Sequence, residues 1–195
     1  MNRNKTLNKK IILLLVSGVL VLTGYLFKDV LNPRLDSKKE VNWSSSAGGN
    51  YDYNDILVKR VVDGDTLLLE NREYVRLLGI DTPEIHESAK LYRDAQRSKE
   101  SIKKIKQDGM RAYEFTKQLT DGKRVRLEFD TEKYDKYNRI LAYVFLEDGT
   151  FVNGRIVEEG YASLTHFKLN VKYTDILSKL YREARENKRG LWAQD

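Results

Sequence analysis

TLLLENREYVRLLGIDTPE (66–84) consists of two apolar runs around Asn71-Arg72, and it ends in a cluster of acids and a Thr-Pro turn. Runs of this kind on either side of a short polar pair read as an antiparallel hairpin. With the turn at 71–72, position 65 falls opposite 78 and position 63 opposite 80. Asp65 and Asp81 then lie at the same end of one hairpin. A straight ladder leaves them about three residues apart, roughly 10 Å. A bend near Gly79 or at the Thr-Pro turn closes that gap. In one continuous strand, Tyr74, Arg76, Leu78 and Ile80 share a face. An arginine on a largely apolar face requires an anion, either a nearby carboxylate or an incoming phosphate.

Outward from this stretch the same alternation recurs. ILVKRVV (56–62) is strand-like and DGD (63–65) is a tight turn. KRVRLEFD (123–130) alternates Val125, Leu127 and Phe129 against charges, and RILAYVFLEDGTFV (139–152) reads as a second hairpin turning at Asp148-Gly149. MRAYEFTKQLT (110–120) has helical spacing, with Tyr113, Thr116 and Leu119 in line. NGRIVEEGYA (153–162) forms a short helix. A last helix is expected from Thr174 as N-cap, with Ile176, Leu177, Leu180, Tyr181 and Ala184 on its apolar side and Gly190 at its end. Five strands and three helices make an α+β fold, and a small barrel is the natural closure for five strands burying one face.

The chain of 195 residues carries 35 Lys/Arg and 29 Asp/Glu, a formal charge of +6. Residues 1–50 hold 8 basic and 3 acidic residues, which leaves 27 and 26 for the remainder, a net of +1. Any claim of polyanion binding must therefore rest on placed residues rather than on bulk charge. There is no cysteine, which excludes disulfides, thiolate chemistry and zinc-thiolate sites. Arg3, Lys5, Lys9 and Lys10 precede IILLLVSGVLVLTGYLF, 17 residues without a charge. This is an export pattern, so residues 1–27 read as a signal peptide or an uncleaved signal anchor. Residues 28–55, with SSSAGGN at 44–50, read as a flexible linker before a domain at 56–195.

Asp65, Asp81 and Glu84 converging at one hairpin end repel one another, so either their pKa values rise or a cation enters. Oxygen ligands without His or Cys suit a hard ion, calcium or magnesium. His86 lies beyond the turn and reads as a loop residue rather than a ligand. DKYNRILAY (135–143) places Lys136, Tyr137 and Arg139 before an apolar strand, a cation-aromatic-cation group suited to a nucleotide phosphate.

VVDGDTLLL, VRLLGIDTPE, DGMRAYEFTKQLTDGKRVRLEFD, DKYNRILAYV and the terminal RGLW occur in an order and spacing that resemble the staphylococcal nuclease (thermonuclease) family over 56–195. The resemblance implies an OB-fold-like five-stranded barrel with three helices, and a calcium-dependent phosphodiesterase acting on DNA and RNA and leaving 3′-phosphates. It implies that Asp65 and Asp81 hold Ca²⁺ by carboxylate and Thr82 by its carbonyl. Glu84 would be the general base or orient the attacking water. Arg76 and Arg139 would bind the scissile phosphate, and Lys136 and Tyr137 a neighbouring one. A monomer is expected, exported and either membrane-anchored or secreted.

The chain departs from that family pattern in two places. AKLYRDAQRSKESIKKIKQ (89–107) is largely additional, with seven Lys/Arg against Asp94 and Glu100. It reads either as a basic arm for a polyanion or as a solvated loop or helix. Where the family has nucleotide-stacking tyrosines, this chain has His166, Phe167 and Lys168. Asn138 replaces a common glycine and tolerates the same left-handed turn. Two other readings fit part of the pattern. A non-catalytic OB module would be expected to lack the acids or arginines, and a metal-stabilised surface domain leaves Arg76 with Arg139 unexplained.

Overall fold

The computed structural model describes residues 51–165 and 169–194, and from Gly49 onward the chain is one compact unit. The export segment 1–27, the linker up to residue 50, and His166, Phe167 and Lys168 lie outside the described residues.

Five strands close into a barrel. They are β1 (Ile56–Asp63), β2 (Thr66–Leu69), β3 (Tyr74–Leu77), β5 (Arg124–Glu128) and β6 (Ile140–Leu146), in the order β1-β2-β3-β6-β5. The neighbours are antiparallel except β3 and β6, which run parallel. Two short strands, β4 (Ile80–Asp81) and β7 (Ser163–Leu164), pair outside the barrel. Four α-helices occur among the described residues where three were expected. They are α1 (Ala89–Ser98), α2 (Ile102–Thr120), α3 (Val152–Glu158) and α4 (Thr174–Glu186), followed by a 3₁₀ turn over Gly190–Gln194.

Period-two patterning decides which side of each strand fills the barrel. In β5, Val125 and Leu127 are buried between outward Arg124, Arg126 and Glu128. Their partners Leu146 and Val144 set the inward parity of β6, which continues through Ala142 and Ile140 to Leu77 and Val75 in β3. Val75 pairs with Leu67, and Leu67 and Leu69 pair with Val61 and Val58. In β1 the inward residues change parity between Val58 and Val61. A register shift between Val58 and Arg60 supplies the extra residue, a bulge of the kind that lets a small sheet curl shut.

Arg76, paired with Leu141, is therefore on the outer face of the barrel. The expected hairpin forms with its register displaced by one. Thr66 pairs with Arg76, and the Leu77 N–H donates to the Asp65 carbonyl at 2.9 Å, so 65 faces 77 rather than 78. The cause is the turn. Arg72 takes a left-handed φ of 70°, and the Leu69 N–H donates to the Glu73 carbonyl, giving a longer connection than a two-residue Asn-Arg turn.

The run 73–80 is not one strand, so Leu78 and Ile80 do not continue the face of Arg76. The Leu78 N–H still donates to Ala142 of β6, at 3.0 Å, and the buried Asn153 amide donates to the Leu78 carbonyl at 2.9 Å. Gly79 then takes φ 78° and turns the chain out to pair with β7. A Cβ at Gly79 would need that left-handed φ and would meet the Leu177 side chain at 2.5 Å, so only glycine makes the bend here without strain.

The stripe Ile105, Asp108, Gly109, Ala112, Thr116 and Thr120 is the buried side of α2, which packs on β1. Tyr113 and Leu119 flank that stripe, packed against the core. The arm after Asp148-Gly149 does not become a strand. It makes one bridge, Phe145 to Phe151, and enters α3 at once. Thr174 is the first residue of α4 and Tyr173 its N-cap, without a side-chain cap. The Tyr173 hydroxyl donates instead to Glu128, at 3.0 Å. Leu177 and Ala184 are buried as expected, whereas Ile176 is 50% exposed. Asn187, not Gly190, caps the end of α4. The inserted segment 89–107 is helical, forming α1 and the first turns of α2.

Candidate active site

The bend at Gly79 brings Asp81 back over the open end of β2, and Arg76 ties the two acids together. Its guanidinium lies 3.1 Å from Asp65 Oδ2 and donates to Asp81 Oδ1 at 2.9 Å and to the Leu77 carbonyl at 3.0 Å. Arg76 is 8% exposed and Asp65 6%, so their pair is buried, while Asp81 closes the triad from a partly exposed position. Such charges persist in an apolar fold only when each is countered and hydrogen-bonded. Asp65 meets that requirement by accepting from the Thr82 N–H at 2.9 Å, from the Thr82 hydroxyl at 3.1 Å and from the Thr66 hydroxyl at 3.1 Å.

Asp65, Arg76, Asp81 and Thr82 are thus brought together as the sequence spacing requires. Glu84 joins them through an unexpected residue. Lys90, in the first turn of α1, extends Nζ to Glu84 Oε1 at 3.0 Å, the Thr82 carbonyl at 3.2 Å, Asp81 Oδ2 at 3.3 Å and Asp94 Oδ2 at 3.3 Å. The Ser88 hydroxyl donates to the other Glu84 oxygen at 3.1 Å and also caps α1 by accepting from the Leu91 N–H. Full burial of Leu91, contributing about 1.5–3 kcal/mol, holds that helix down.

Burial and then the neighbouring Asp65 charge raise the Asp81 carboxyl above its usual range, opposed by Arg76 and Lys90. Asp63, the first acid of DGD, is pushed up to about 7, chiefly by burial and next by Asp65. Burial pulls the Lys90 ammonium down, but Asp81, Glu84 and Asp94 outweigh it and the net direction is up. Asp63 and Lys90 both escaped the sequence reading. The doubled acid of DGD was a signal for the first. Ser88 as an N-cap three residues before an isolated Leu91 was a signal for the second, because it fixes where the first turn of α1 must lie.

No group of three His, Cys, Asp or Glu side chains with metal-binding arrangement occurs among the described residues. The donor set is smaller and of another kind. Carboxylate oxygens of Asp81 and Glu84 and the Thr82 carbonyl all surround one positive charge, the Lys90 ammonium. An all-oxygen pocket already shaped around a cation fits a hard ion such as calcium.

Arg139, Lys136 and Tyr137 belong to a separate turn. Asp135 organises it, accepting from the N–H groups of Tyr137 and Arg139 at 2.9 Å each and pairing with the Arg139 guanidinium at 2.7 Å. Asn138 takes φ 61°, the left-handed conformation it was expected to tolerate. Tyr137 is 60% exposed, with Lys136 Nζ 5.0 Å and the Arg139 guanidinium 5.6 Å from its ring. Arg139 immediately precedes β6, two residues before the Leu141 that pairs with Arg76.

Helix α2 packs against the two acid-bearing turns. The Thr116 hydroxyl donates to the Gly64 carbonyl at 2.7 Å, steadying DGD. A Cβ at Gly109 would meet the Pro83 carbonyl oxygen at 2.6 Å and the Glu84 carbonyl oxygen at 2.8 Å. Backbone cannot yield as a side chain does, so Gly109→Ala should displace Glu84. Steady-state kinetics should show a fall in kcat of about 10² for a displacement near 1 Å, and an unchanged kcat would mean that Glu84 need not be held there.

The family model described as "Staphylococcal nuclease homologue" matches residues 74–194. The chain is 37% identical over 139 residues to a thermonuclease of Staphylococcus intermedius, covering 70% of this chain and 74% of that one. It is 30% identical over 139 residues, with the same coverage, to a thermonuclease of Staphylococcus hyicus. It is 33% identical over 146 residues to the SPbeta prophage-derived endonuclease YokF of Bacillus subtilis (strain 168), covering 72% of this chain and 45% of that one. The closed five-stranded barrel is OB-fold-like, and the matches to thermonucleases and an endonuclease put the chain among nuclease hydrolases. The chain belongs to the staphylococcal nuclease family.

Proposed function

We propose that this chain is a calcium-dependent nuclease that hydrolyses phosphodiester bonds of DNA and RNA and leaves 3′-phosphates. One observation carries the reading. A buried arginine joins two carboxylates beside a carbonyl and a third carboxylate, all at one end of the barrel. Family membership and relatives named thermonuclease and endonuclease support it.

Asp65, Asp81 and the Thr82 carbonyl would hold the ion. Calcium supplies Lewis acidity and fixes the phosphate when bound. Glu84 accepts a proton from water as its oxygen bonds to phosphorus, or orients that water. The bond from phosphorus to the 5′-oxygen breaks, and that oxygen takes a proton from solvent water as it leaves, balancing the one given to Glu84. Arg76 and Arg139 present planar forks to the oxygens on which charge grows. Lys136 and the exposed Tyr137 hold the next phosphate and its sugar or base. Arg139 must leave Asp135 to do this, exchanging one anion for another.

The export pattern at 1–27 supports an extracellular catalytic domain, anchored in the membrane or secreted. Among the described residues no helix is long and apolar enough to cross a membrane, and the export segment lies outside them.

Mass spectrometry of a short single-stranded DNA after digestion tests the chemistry. The expected fragments carry 3′-phosphate and 5′-hydroxyl ends and do not form in EGTA. Fragments with 5′-phosphate ends would overturn the direction of attack.

A further inference from the structure

The ammonium of Lys90 stands among the oxygens assigned to the ion and to the attacking water. It touches Asp81, the Thr82 carbonyl and Glu84, which come from β4 and the turn after it, and also Asp94 on its own helix. With Ser88 on the second oxygen, both oxygens of Glu84 are engaged. A surface lysine does not gather four oxygens, one of them a main-chain carbonyl, at 28% side-chain exposure. An ion that takes six to eight oxygens at about 2.3–2.6 Å cannot share these with an ammonium within hydrogen-bond distance of the same atoms.

We infer that Lys90 is a tethered cation that competes with the divalent ion for the Asp81 and Thr82 oxygens and holds Glu84 while the ion is absent. Entry of the ion expels the ammonium, frees Glu84 and loosens α1. The inference rests on the calcium reading above. In the ion-free protein Lys90 neutralises carboxylates that would otherwise repel one another. Asp94, one helical turn away, gives the displaced ammonium a partner on its own helix. The anchorage of α1 is slight, since Leu91 is its one buried residue. The engaged state also withholds the base until the ion arrives, so Lys90 sets the ion concentration at which the site opens.

Calcium titration by calorimetry of the full chain and of Lys90→Met tests this, together with hydrogen exchange of the 89–98 amides with and without calcium. The variant is expected to bind calcium about tenfold or more tightly than the parent, and the parent's α1 amides to exchange faster once calcium is bound. Equal or weaker binding by Lys90→Met, while both proteins bind, overturns the competition and leaves the calcium reading standing. Tighter binding with α1 exchange unchanged in the parent overturns the expulsion. No calcium binding by either protein overturns both. Should Lys90→Met fail to fold without the ion, the exchange response of the parent decides alone.

Discussion

Glu84→Gln is expected to lower kcat on denatured DNA by about 10²–10⁴, the usual contribution of a positioned proton acceptor, with calcium affinity largely intact. The substitution is nearly isosteric. The glutamine carbonyl can still accept from Ser88, which now donates to Glu84 at 3.1 Å, so the turn should keep its shape. What is lost is the basic oxygen and the attraction to Lys90. Stopped-time release of acid-soluble nucleotides under saturating calcium reads the effect directly. Near-parental turnover would remove Glu84 from proton transfer and leave it a positioning group for Lys90.

Arg76→Met should have the largest structural consequence. It leaves the buried Asp65 and the partly exposed Asp81 without their shared counter-charge. Breaking a buried ion network from one side costs about 3–5 kcal/mol, which urea denaturation in EGTA would read as a lower midpoint. Calcium should restore part of the loss, because an ion bound to the folded state alone stabilises it by mass action. Arg76→Lys separates the two roles of the side chain. It keeps the charge and should recover some stability, but an ammonium cannot donate in parallel to a carboxylate and a phosphate, so turnover should stay low. A midpoint in Arg76→Met equal to the parent's would mean that the triad does not hold the site together.

Most of the barrel was legible because period-two burial is a strong signal. Val125 and Leu127 against Arg124 and Arg126 needed no tertiary information. The same signal misled at 73–80, where Leu78 and Ile80 continue the alternation although the chain leaves the barrel at Gly79. Nothing local reveals that Asn153, 75 residues away, takes the Leu78 carbonyl and fixes the break. The hairpin register slipped by one for a local but subtle reason, the left-handed Arg72. At the site, Arg76 was conspicuous because a charge within an apolar run needs an anion, and both its anions were in reach of hairpin geometry. Lys90 was not conspicuous. One lysine among seven basic residues in a charged segment has no signature of its own, and only the docking of α1 through Ser88 and Leu91 singles it out. Extension of α2 back to Ile102 was hidden for a similar reason, since Ile105 is the lone buried large apolar residue in its first turns.

The most direct test of a metal-dependent phosphodiesterase centred on Asp65, Arg76, Asp81, Thr82 and Glu84 is a calcium titration of denatured-DNA hydrolysis by the purified chain, run beside Asp81→Ala. Hydrolysis should be absent in excess EGTA, rise to saturation with calcium, return when calcium is restored after chelation, and stay absent in Asp81→Ala across the same range. Hydrolysis that persists in EGTA, or an Asp81→Ala protein that matches the parent, would contradict the account.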